Sequence, residues 1–184
     1  TVPTPLNNET KHADLGFIRA ACKIIAPALR SGNLVVLEST SPVGTTEKIR
    51  LWLREMRSDL SFASTSSHQS ADINIAYCPE RVIPGHTLDE IVSNDRVIGG
   101  LNHKSAVAAR SLYKNFVIGD CYITDARTAE LSKLVENSFR DVNIAFANEL
   151  SKICDKQEID VWNVISLANK HPRVNILQPG PGVG

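Results

Sequence analysis

Leu34-Val35-Val36-Leu37 is a short apolar run, and the polar segment Glu38-Ser39-Thr40-Ser41-Pro42-Val43-Gly44-Thr45-Thr46 follows it directly. Four consecutive apolar residues between turn residues are typical of a strand buried on both faces of a parallel sheet. A helical pattern then continues to about Met56, so the stretch predicts a strand, a polar loop and a helix in succession. Strands that alternate with helices form an open, doubly wound α/β sheet, and this unit therefore decides the fold class.

The alternation continues on both sides of this unit. Residues 14–30 and 102–116 show apolar residues at helical spacing, and Ile73–Tyr77 and Cys121–Ile123 are candidate strands. The Ser-rich stretch 61–70 predicts an exposed loop.

From Thr124 onward the pattern is that of one long helix. Residues 125–156 contain no Pro or Gly, and Thr124 is expected to cap the helix. A second helix is predicted over Asp160–Lys170. The chain thus divides into an α/β part, residues 1–124, and a helical part, residues 125–184.

Composition and charge argue against several classes of protein. Of the 184 residues, 42% are hydrophobic and 22% are charged, as in an ordinary globular protein. Twenty basic residues balance twenty acidic ones, which disfavours binding to nucleic acid or to an anionic membrane. No apolar run approaches the ~20 residues that cross a bilayer, and no signal peptide is evident, so a cytoplasmic protein is expected. The first residue is Thr rather than Met, which favours a segment of a longer protein.

The four cysteines follow no metal or disulfide pattern. Cys22, Cys78, Cys121 and Cys154 form no CxxC pair and have no clustered His nearby in sequence. We therefore expect reduced, mostly buried thiols and no metal site.

Two loops that follow predicted strands are candidates for ligand binding. Residues 39–46 run into a helix N-terminus, where backbone N–H groups favour anions, although Thr45 or Thr46 could merely cap that helix. The loop after the second strand places Glu80 beside Arg81. It could hold a substrate, or it could be a surface loop with a solvated ion pair.

The long helix carries the strongest constellation. Lys133, Asn137 and Arg140 stand at i, i+4 and i+7 and share one face. An ammonium and an amide one turn apart could stabilise one developing oxyanion, and Arg140 would suit a phosphate. The alternative is a solvated helix face.

The end of the chain is rich in glycine but does not match a dinucleotide fingerprint. Gly180-Pro181-Gly182-Val183-Gly184 follows no convincing Rossmann strand and precedes no helix in this chain, and G-x-G-x-x-G occurs nowhere else. Just before it, His171 and Arg173 flank Pro172, where basic residues near a helix C-terminus are also unremarkable.

Taken together, several motifs resemble those of the UDP-glucose/GDP-mannose dehydrogenase family. They are Val2–Pro5, Glu38–Thr46, Tyr77–Arg81, Asp95–Gly100, Thr128–Lys133 with Asn137, and His171–Leu177 before Pro179–Gly184. The resemblance extends in order over essentially the whole chain. The loop Cys78–Val82, the run from Asn137 to Glu149 and the turn at Pro172 look most like the branch that acts on UDP-N-acetyl-D-mannosamine.

The resemblance implies the C-terminal part of a Rossmann-like NAD-binding domain at residues 1–124. It implies a central helical domain, with a role in dimerisation and substrate binding, at residues 125–184. The full-length protein would oxidise the sugar C6 alcohol twice with NAD, through an aldehyde and a cysteine thioester, giving UDP-N-acetylmannosaminuronate for cell-surface polysaccharide. The nucleophilic cysteine would lie just beyond Gly184, so this chain alone would be inactive. The alternatives are another UDP-N-acetylhexosamine 6-dehydrogenase and a non-catalytic fragment for sugar-nucleotide binding or dimerisation.

The resemblance also assigns roles to individual residues. Lys133 resembles the catalytic lysine, Asn137 its oxyanion partner, and Glu80 the carboxylate of the Pro-Glu loop. Pro84 stands where the UDP-glucose branch has a second acid, which argues against glucose as the substrate. The long helix implies a homodimer. The implied substrate contacts are Arg81, Val82, Arg140, His171, Arg173 and Gly184, and the implied NAD contacts are Thr4, Thr40 and Thr46.

Overall fold

A computed structural model describes residues 2–65, 71–82, 85 and 87–182. The chain forms two compact units, Thr1–Lys133 and Leu134–Gly184. The strands are β1 (Leu34–Leu37), β2 (Asn74–Tyr77), β3 (Arg96–Gly100) and β4 (Cys121–Asp125). The α-helices are α1 (Gly16–Ile25), α2 (Thr45–Met56), α3 (Thr87–Ser93), α4 (His103–Tyr113), α5 (Ala126–Lys156) and α6 (Val161–Ala168). The α/β fold with one long helix is confirmed, and the domain boundary at residue 124 stays a prediction.

The four strands form one sheet in the order β1-β2-β3-β4. β1 pairs with β2 and β3 pairs with β4 in parallel, but β2 and β3 are antiparallel. The sequence did not predict β3 or α3, because β3 begins with a charged residue and ends in Gly99-Gly100. The expectation that β1 is buried on both faces is met in part. Val35 and Leu37 pack in the apolar cluster on one face, and Leu34 and Val36 pack against the cluster on the other. Because β1 lies at the edge of the sheet in the described part of the chain, only Leu37 is buried and the other three are half-buried.

Helices pack on both faces of the sheet in the first unit. In β2, Ile75 and Tyr77 belong to the apolar cluster on the α1 and α2 side. Ala76, and Cys78 directly after the strand, belong to the cluster on the α4 side. This period of two is what a strand covered on both faces requires.

Two consecutive glycines let helices approach the backbone of β3 closely. A Cβ atom on Gly99 would lie 2.6 Å from the Asp125 carbonyl oxygen and from the Ala129 side chain. A Cβ atom on Gly100 would lie 2.5 Å from the backbone N of Ala106. The first turns of α4 and α5 therefore contact the strand where only glycine leaves room.

The long helix begins one residue later than predicted, and Thr124 does not cap it. Thr124 lies in β4, paired with Gly99. Asp125 caps the helix instead, since its carboxylate accepts hydrogen bonds from the backbone N–H (2.9 Å) and the hydroxyl (2.5 Å) of Thr128. These hydrogen bonds hold the pKa of Asp125 below its usual range.

Two other helices are shorter than their patterns predicted. The first ends at Ile25, where a 3₁₀ turn containing Pro27 follows, since proline cannot donate the next helical hydrogen bond. In the second unit, α6 is capped by Asp160, whose carboxylate accepts from the N–H of Trp162 at 3.0 Å.

No helix in the described parts of the chain combines the length and apolar character needed to cross a bilayer. Residues 66–70 of the predicted loop lie outside the described residues.

Candidate functional site

The N-terminus of α2 binds a carboxylate of the chain itself. Glu130 accepts hydrogen bonds from the N–H of Gly44 (2.5 Å) and the N–H of Thr46 (2.8 Å). It also accepts one from the Thr46 hydroxyl, at 2.7 Å. Glu130 and Thr46 are both fully buried. The N–H groups expected to hold an external anion are thus satisfied from the first turns of α5.

Neither threonine at this helix start is the N-cap. Gly44 holds that position in the left-handed conformation, with φ of 91°. The Thr45 hydroxyl instead donates to the carbonyl oxygen of Pro42 at 2.6 Å. Glycine suits this position, because a positive φ is costly for other residues, and the capping carboxylate comes from another helix.

The segment at the start of the chain lies against the loop that follows β1. Thr4 donates its hydroxyl hydrogen to the carbonyl oxygen of Thr40 at 2.7 Å. Ser39 donates its hydroxyl to the carbonyl of Val2 (2.6 Å) and accepts the Val2 N–H (3.1 Å). Two of the predicted cofactor residues, Thr4 and Thr40, are therefore in contact at the carboxyl end of β1, the edge at which α/β sheets bind cofactors.

The carboxylate of Glu80 is held by its own loop and by a buried arginine. Its Oε1 atom accepts the N–H groups of Arg81 (2.7 Å) and Val82 (3.0 Å). The Nη1 atom of Arg96, a residue only 2% exposed, lies 3.6 Å from the same oxygen. Glu80 is thus held by two backbone N–H groups and lies beside the buried Arg96, rather than being only a solvated neighbour of Arg81.

Arg96 connects this loop to the loop after β1. Its Nη2 atom donates to the carbonyl of Ile91 at 2.9 Å, and its guanidinium lies 5.7 Å from the ring centre of Tyr113. The Tyr113 hydroxyl donates to Glu38 at 2.6 Å. Sequence reasoning gave Arg96 no role of its own. The available signal was a charged residue opening an otherwise apolar segment.

The chain of contacts from Glu80 through Arg96 and Tyr113 to Glu38 therefore joins the residues that follow β2 to those that follow β1. A buried cation needs a paired anion to offset its desolvation, so we expect the positions of the two loops to be coupled.

A polar cavity of about 450 Å³ adjoins the Glu80 loop. Its lining includes Arg81, Ser93, Asn94 and Asp95. One guanidinium nitrogen of Arg81 donates to the carbonyl of Asp95 at 3.3 Å. The predicted substrate residue Arg81 thus borders a space large enough for part of a ligand. Pro84 lies outside the described residues.

The predicted catalytic pair lies in α5. Lys133 and Asn137 are one turn apart and half-buried, whereas Arg140 is exposed. Glu130, three residues before Lys133, is the residue bound to the start of α2. The turn that carries Lys133 is therefore tied to the loop that follows β1.

In the second unit, His171 and Arg173 are exposed on the turn after α6. The Arg173 N–H donates to Nδ1 of His171 at 3.3 Å. Arg173 also borders a cavity of about 430 Å³ whose α5 wall includes Phe139, Val142 and Phe146.

Gly184, a predicted substrate contact, lies outside the described residues. Within the described parts of the chain, no group of three His, Cys, Asp or Glu residues could hold a metal.

All four cysteines are free thiols, and Cys22, Cys78 and Cys154 are buried. Burial raises the pKa of Cys22 to about 11 and that of Cys78 to about 12. A thiol with such a pKa is protonated at neutral pH and is a poor nucleophile. The expectation that the cysteines are mostly buried is confirmed, and their reduced state stays a prediction.

Comparisons with known proteins match both parts of the chain to one family. Residues 1–117 match the NAD binding domain of the UDP-glucose/GDP-mannose dehydrogenase family, and residues 127–184 match its central domain.

Two curated relatives illustrate the similarity, each covering 100% of this chain. One is an NDP-N-acetyl-D-galactosaminuronic acid dehydrogenase of Ralstonia solanacearum, 63% identical over 183 residues. The other is a UDP-N-acetyl-D-mannosamine dehydrogenase of Yersinia pestis, 61% identical over the same length. The chain spans 43% of the length of each relative.

Solved structures of similar proteins have the same fold. A UDP-D-ManNAc dehydrogenase of Pyrococcus horikoshii superposes with a TM-score of 0.87 at 42% identity, covering 98% of this chain and 41% of the other. A UDP-N-acetyl-mannosamine dehydrogenase of Staphylococcus aureus gives 0.83 at 45% identity, covering 100% of this chain and 43% of the other.

Proposed function

This chain belongs to the UDP-glucose/GDP-mannose dehydrogenase family, and from that premise we propose that it forms part of an NAD-dependent UDP-N-acetylhexosamine 6-dehydrogenase. The favoured substrate is UDP-N-acetyl-D-mannosamine, oxidised twice at C6 to UDP-N-acetylmannosaminuronate. The observation that supports an enzyme best is the pair of hydrogen bonds that Thr46 donates to Glu130. These bonds join the turn of α5 that carries the proposed catalytic Lys133 to the loop after β1, which is proposed to contact the cofactor.

NAD is the proposed cofactor, and it supplies the hydride acceptor for oxidation of an alcohol. Thr4 and Thr40, which are in contact at the carboxyl end of β1, would line one side of it. Its phosphates would not lie on the start of α2, because Glu130 already occupies those N–H groups.

The proposed catalytic residues act on the oxygen at C6. Lys133 and Asn137 would donate hydrogen bonds to negative charge that develops on this oxygen, the kind of interaction that lowers a barrier most. Glu80, with one carboxylate oxygen fixed by two backbone N–H groups, would hold or accept a proton near the reacting carbon.

The proposed contacts to the sugar nucleotide are Arg81, Val82, Arg140, His171 and Arg173. Arginine suits this role, because its planar guanidinium can bind two phosphate oxygens at once. The polar cavity beside Arg81 supports the placement of part of the substrate there.

We also propose a homodimer that forms through α5. This helix exposes an apolar stripe at intervals of three, four or seven residues, each side chain between 52% and 69% exposed: Leu131, Val135, Phe139, Val142, Phe146 and Ile153. Exposed apolar stripes of this length mark interaction surfaces. Arg173 borders the same face, so a second copy bound there would meet it.

The substrate is tested by measuring kcat/KM of the full-length protein, as NADH formed, with UDP-N-acetyl-D-mannosamine, UDP-N-acetyl-D-galactosamine and UDP-glucose. The highest value with the mannosamine substrate supports the proposal. A higher value with the galactosamine substrate would favour the activity named for the Ralstonia relative. NADH formation with none of them would contradict the proposed function.

A further inference from the structure

An extended segment in the second unit is bonded to asparagine side chains instead of to a β-strand. Residues 174–180 follow α6 without forming a strand. Backbone N–H and C=O groups in such a segment still need partners where they leave water. One asparagine amide offers both a donor and an acceptor, so a single side chain can bond an extended residue as a neighbouring strand would.

Asn169 and Asn148 each bond both backbone groups of one residue. Asn169 accepts the Ile176 N–H at 2.8 Å and donates to the Ile176 carbonyl at 2.9 Å. Asn148 accepts the Gly180 N–H and donates to the Gly180 carbonyl, both at 2.8 Å. All four distances are those of well-formed hydrogen bonds.

Asn143 bonds the segment from its other edge. It accepts the Leu177 N–H at 2.8 Å and donates to the Asn175 carbonyl at 2.9 Å. In extended chain, the backbone groups of one residue and those of its two neighbours point to opposite edges. Ile176 is therefore flanked by Asn169 on one edge and Asn143 on the other.

Helix formation does not account for these residues. Asn143 and Asn148 lie in the interior of α5, where asparagine is a poor helix former and alanine is the best. Asn143 and Asn148 make two hydrogen bonds each to the extended segment, and Asn169 makes two more. These bonds supply the reason for the amide at each position.

We infer that Asn143, Asn148 and Asn169 are positioning residues that fix the segment 174–180 and, through it, Arg173. This inference rests on the proposed function, because Arg173 is there a contact of the sugar nucleotide. Arg173 lies two residues before Asn175, the first residue that these bonds hold, so fixing the segment limits where the Arg173 backbone can lie. The long arginine side chain needs a fixed origin to bind two oxygens at once.

The test uses the full-length protein with Asn148→Ala and Asn169→Ala, since neither residue lines the apolar cavity along α5. Asn163→Ala is the matched control, because Asn163 is exposed on α6. Hydrogen exchange of the peptide covering 174–182 is measured, together with KM and kcat for the UDP-N-acetylhexosamine. We expect exchange and KM each to rise about three- to tenfold over the control, because each variant removes two hydrogen bonds that water replaces in part. The change in kcat should be smaller.

Two results would overturn the inference. One is unchanged exchange in folded variants, which would mean that the amides do not hold the segment. The other is faster exchange with unchanged KM, which would make the asparagines purely structural. If the alanine variants do not fold, Asn148→Asp keeps the acceptor for the Gly180 N–H, removes the donor and places a charge near the Gly180 carbonyl, and the same readouts apply. If the wild-type protein oxidises no sugar nucleotide, the proposed function fails, and exchange alone then decides whether the amides hold the segment.

Discussion

The carboxylate of Glu130 accepts hydrogen bonds from both the backbone N–H and the hydroxyl of Thr46, a residue 84 positions earlier in the chain. Both residues are fully buried. A buried carboxylate needs several donors to offset its lost hydration, and the start of α2 provides them. This contact fixes the beginning of α5 against the loop that follows β1.

We expect Glu130→Gln to lower the free energy of unfolding by about 1–3 kcal/mol, because an amide group turns a donor toward an N–H group and leaves it unsatisfied. Urea unfolding of the full-length protein measures the change. Glu149→Gln is the control, since Glu149 is exposed and pairs only at the surface with Lys152. It should change stability by about 0.5 kcal/mol or less. Equal effects of the two variants would mean that the buried hydrogen bonds stabilise nothing.

Lys133→Ala in the full-length protein should lower kcat far more than it raises KM. An ammonium placed for charge that develops in the transition state contributes about 2.7–4 kcal/mol, the scale known for one such donor. Steady-state kinetics with Lys152→Ala, an exposed lysine of the same helix, provides the comparison. A rise in KM with kcat unchanged would make Lys133 a binding residue only.

Arg173 should act in the active site of the partner subunit. We expect Arg173→Lys to weaken binding of the sugar nucleotide, because lysine cannot reproduce the two-pronged guanidinium contact. Mixing Arg173→Ala subunits with Lys133→Ala subunits should restore activity, since one site of each heterodimer then has both residues intact. If heterodimers form, as shown by mass spectrometry, and activity does not recover, Arg173 serves its own subunit or has no role in the site.

Local patterns predicted most helices and strands but not how the strands pair. The apolar run of β1 and the uninterrupted pattern of α5 are visible in a few consecutive residues. The antiparallel pairing of β2 with β3 depends on the path of the chain between them, and β3 itself has too few apolar residues to stand out. In α1, the spacing of apolar residues predicted a longer helix than the one observed, which ends at Ile25 just before Pro27.

Asp72 should make stability depend on pH in the acid range. Its carboxylate accepts hydrogen bonds from the hydroxyl and N–H of Ser61 and from Ser31, which lower its pKa from 3.8 to about 2. A carboxyl with a depressed pKa stabilises the folded state above its unfolded pKa, and this contribution is lost as pH falls through its folded pKa. The stability difference between wild type and Asp72→Asn should therefore be full at neutral pH.

That difference should shrink as the pH falls from about 4, near the ordinary pKa of Asp72, to about 2, its pKa in the folded protein. Urea midpoints across this range measure it. Asp155→Asn, which changes an exposed aspartate near the end of α5, is measured alongside as the control. A difference that is constant with pH would contradict the assignment.

Thiol reactivity should separate the cysteines. Only Cys121 is partly exposed, while the other three are buried. The raised pKa values of Cys22 and Cys78 reduce their thiolate fraction further. With a chromogenic disulfide at neutral pH, we expect Cys121 to react before the other three, which should become reactive in urea. Mass spectrometry locates the modified residue, and rapid native labelling of Cys78 would refute the expectation.

For the candidate site, the sequence predicted the spacing of residues within one helix but not the contacts between distant residues. The i, i+4 spacing of Lys133 and Asn137 is readable because a helix fixes it. A negatively charged group does bind the start of α2, as expected. It is the side chain of Glu130 and not an external anion. The Glu80 carboxylate accepts the backbone N–H of its neighbour Arg81, but the guanidinium near it belongs to Arg96, 16 positions later in the chain. Such contacts join residues far apart in the chain, and no short window of sequence contains them.

The two glycines at the end of β3 also bear on how the protein can change over evolution. The contacts of Gly99 and Gly100 with the first turns of α5 and α4 are largely made by backbone atoms. A junction of this kind keeps its spacing when side chains elsewhere in the core are exchanged, because no side chain of β3 lies between strand and helix there. The first turn of α5 can thus hold its place against β3 while the surrounding core diverges. Any residue other than glycine at these two positions should be among the least tolerated substitutions in a mutational scan.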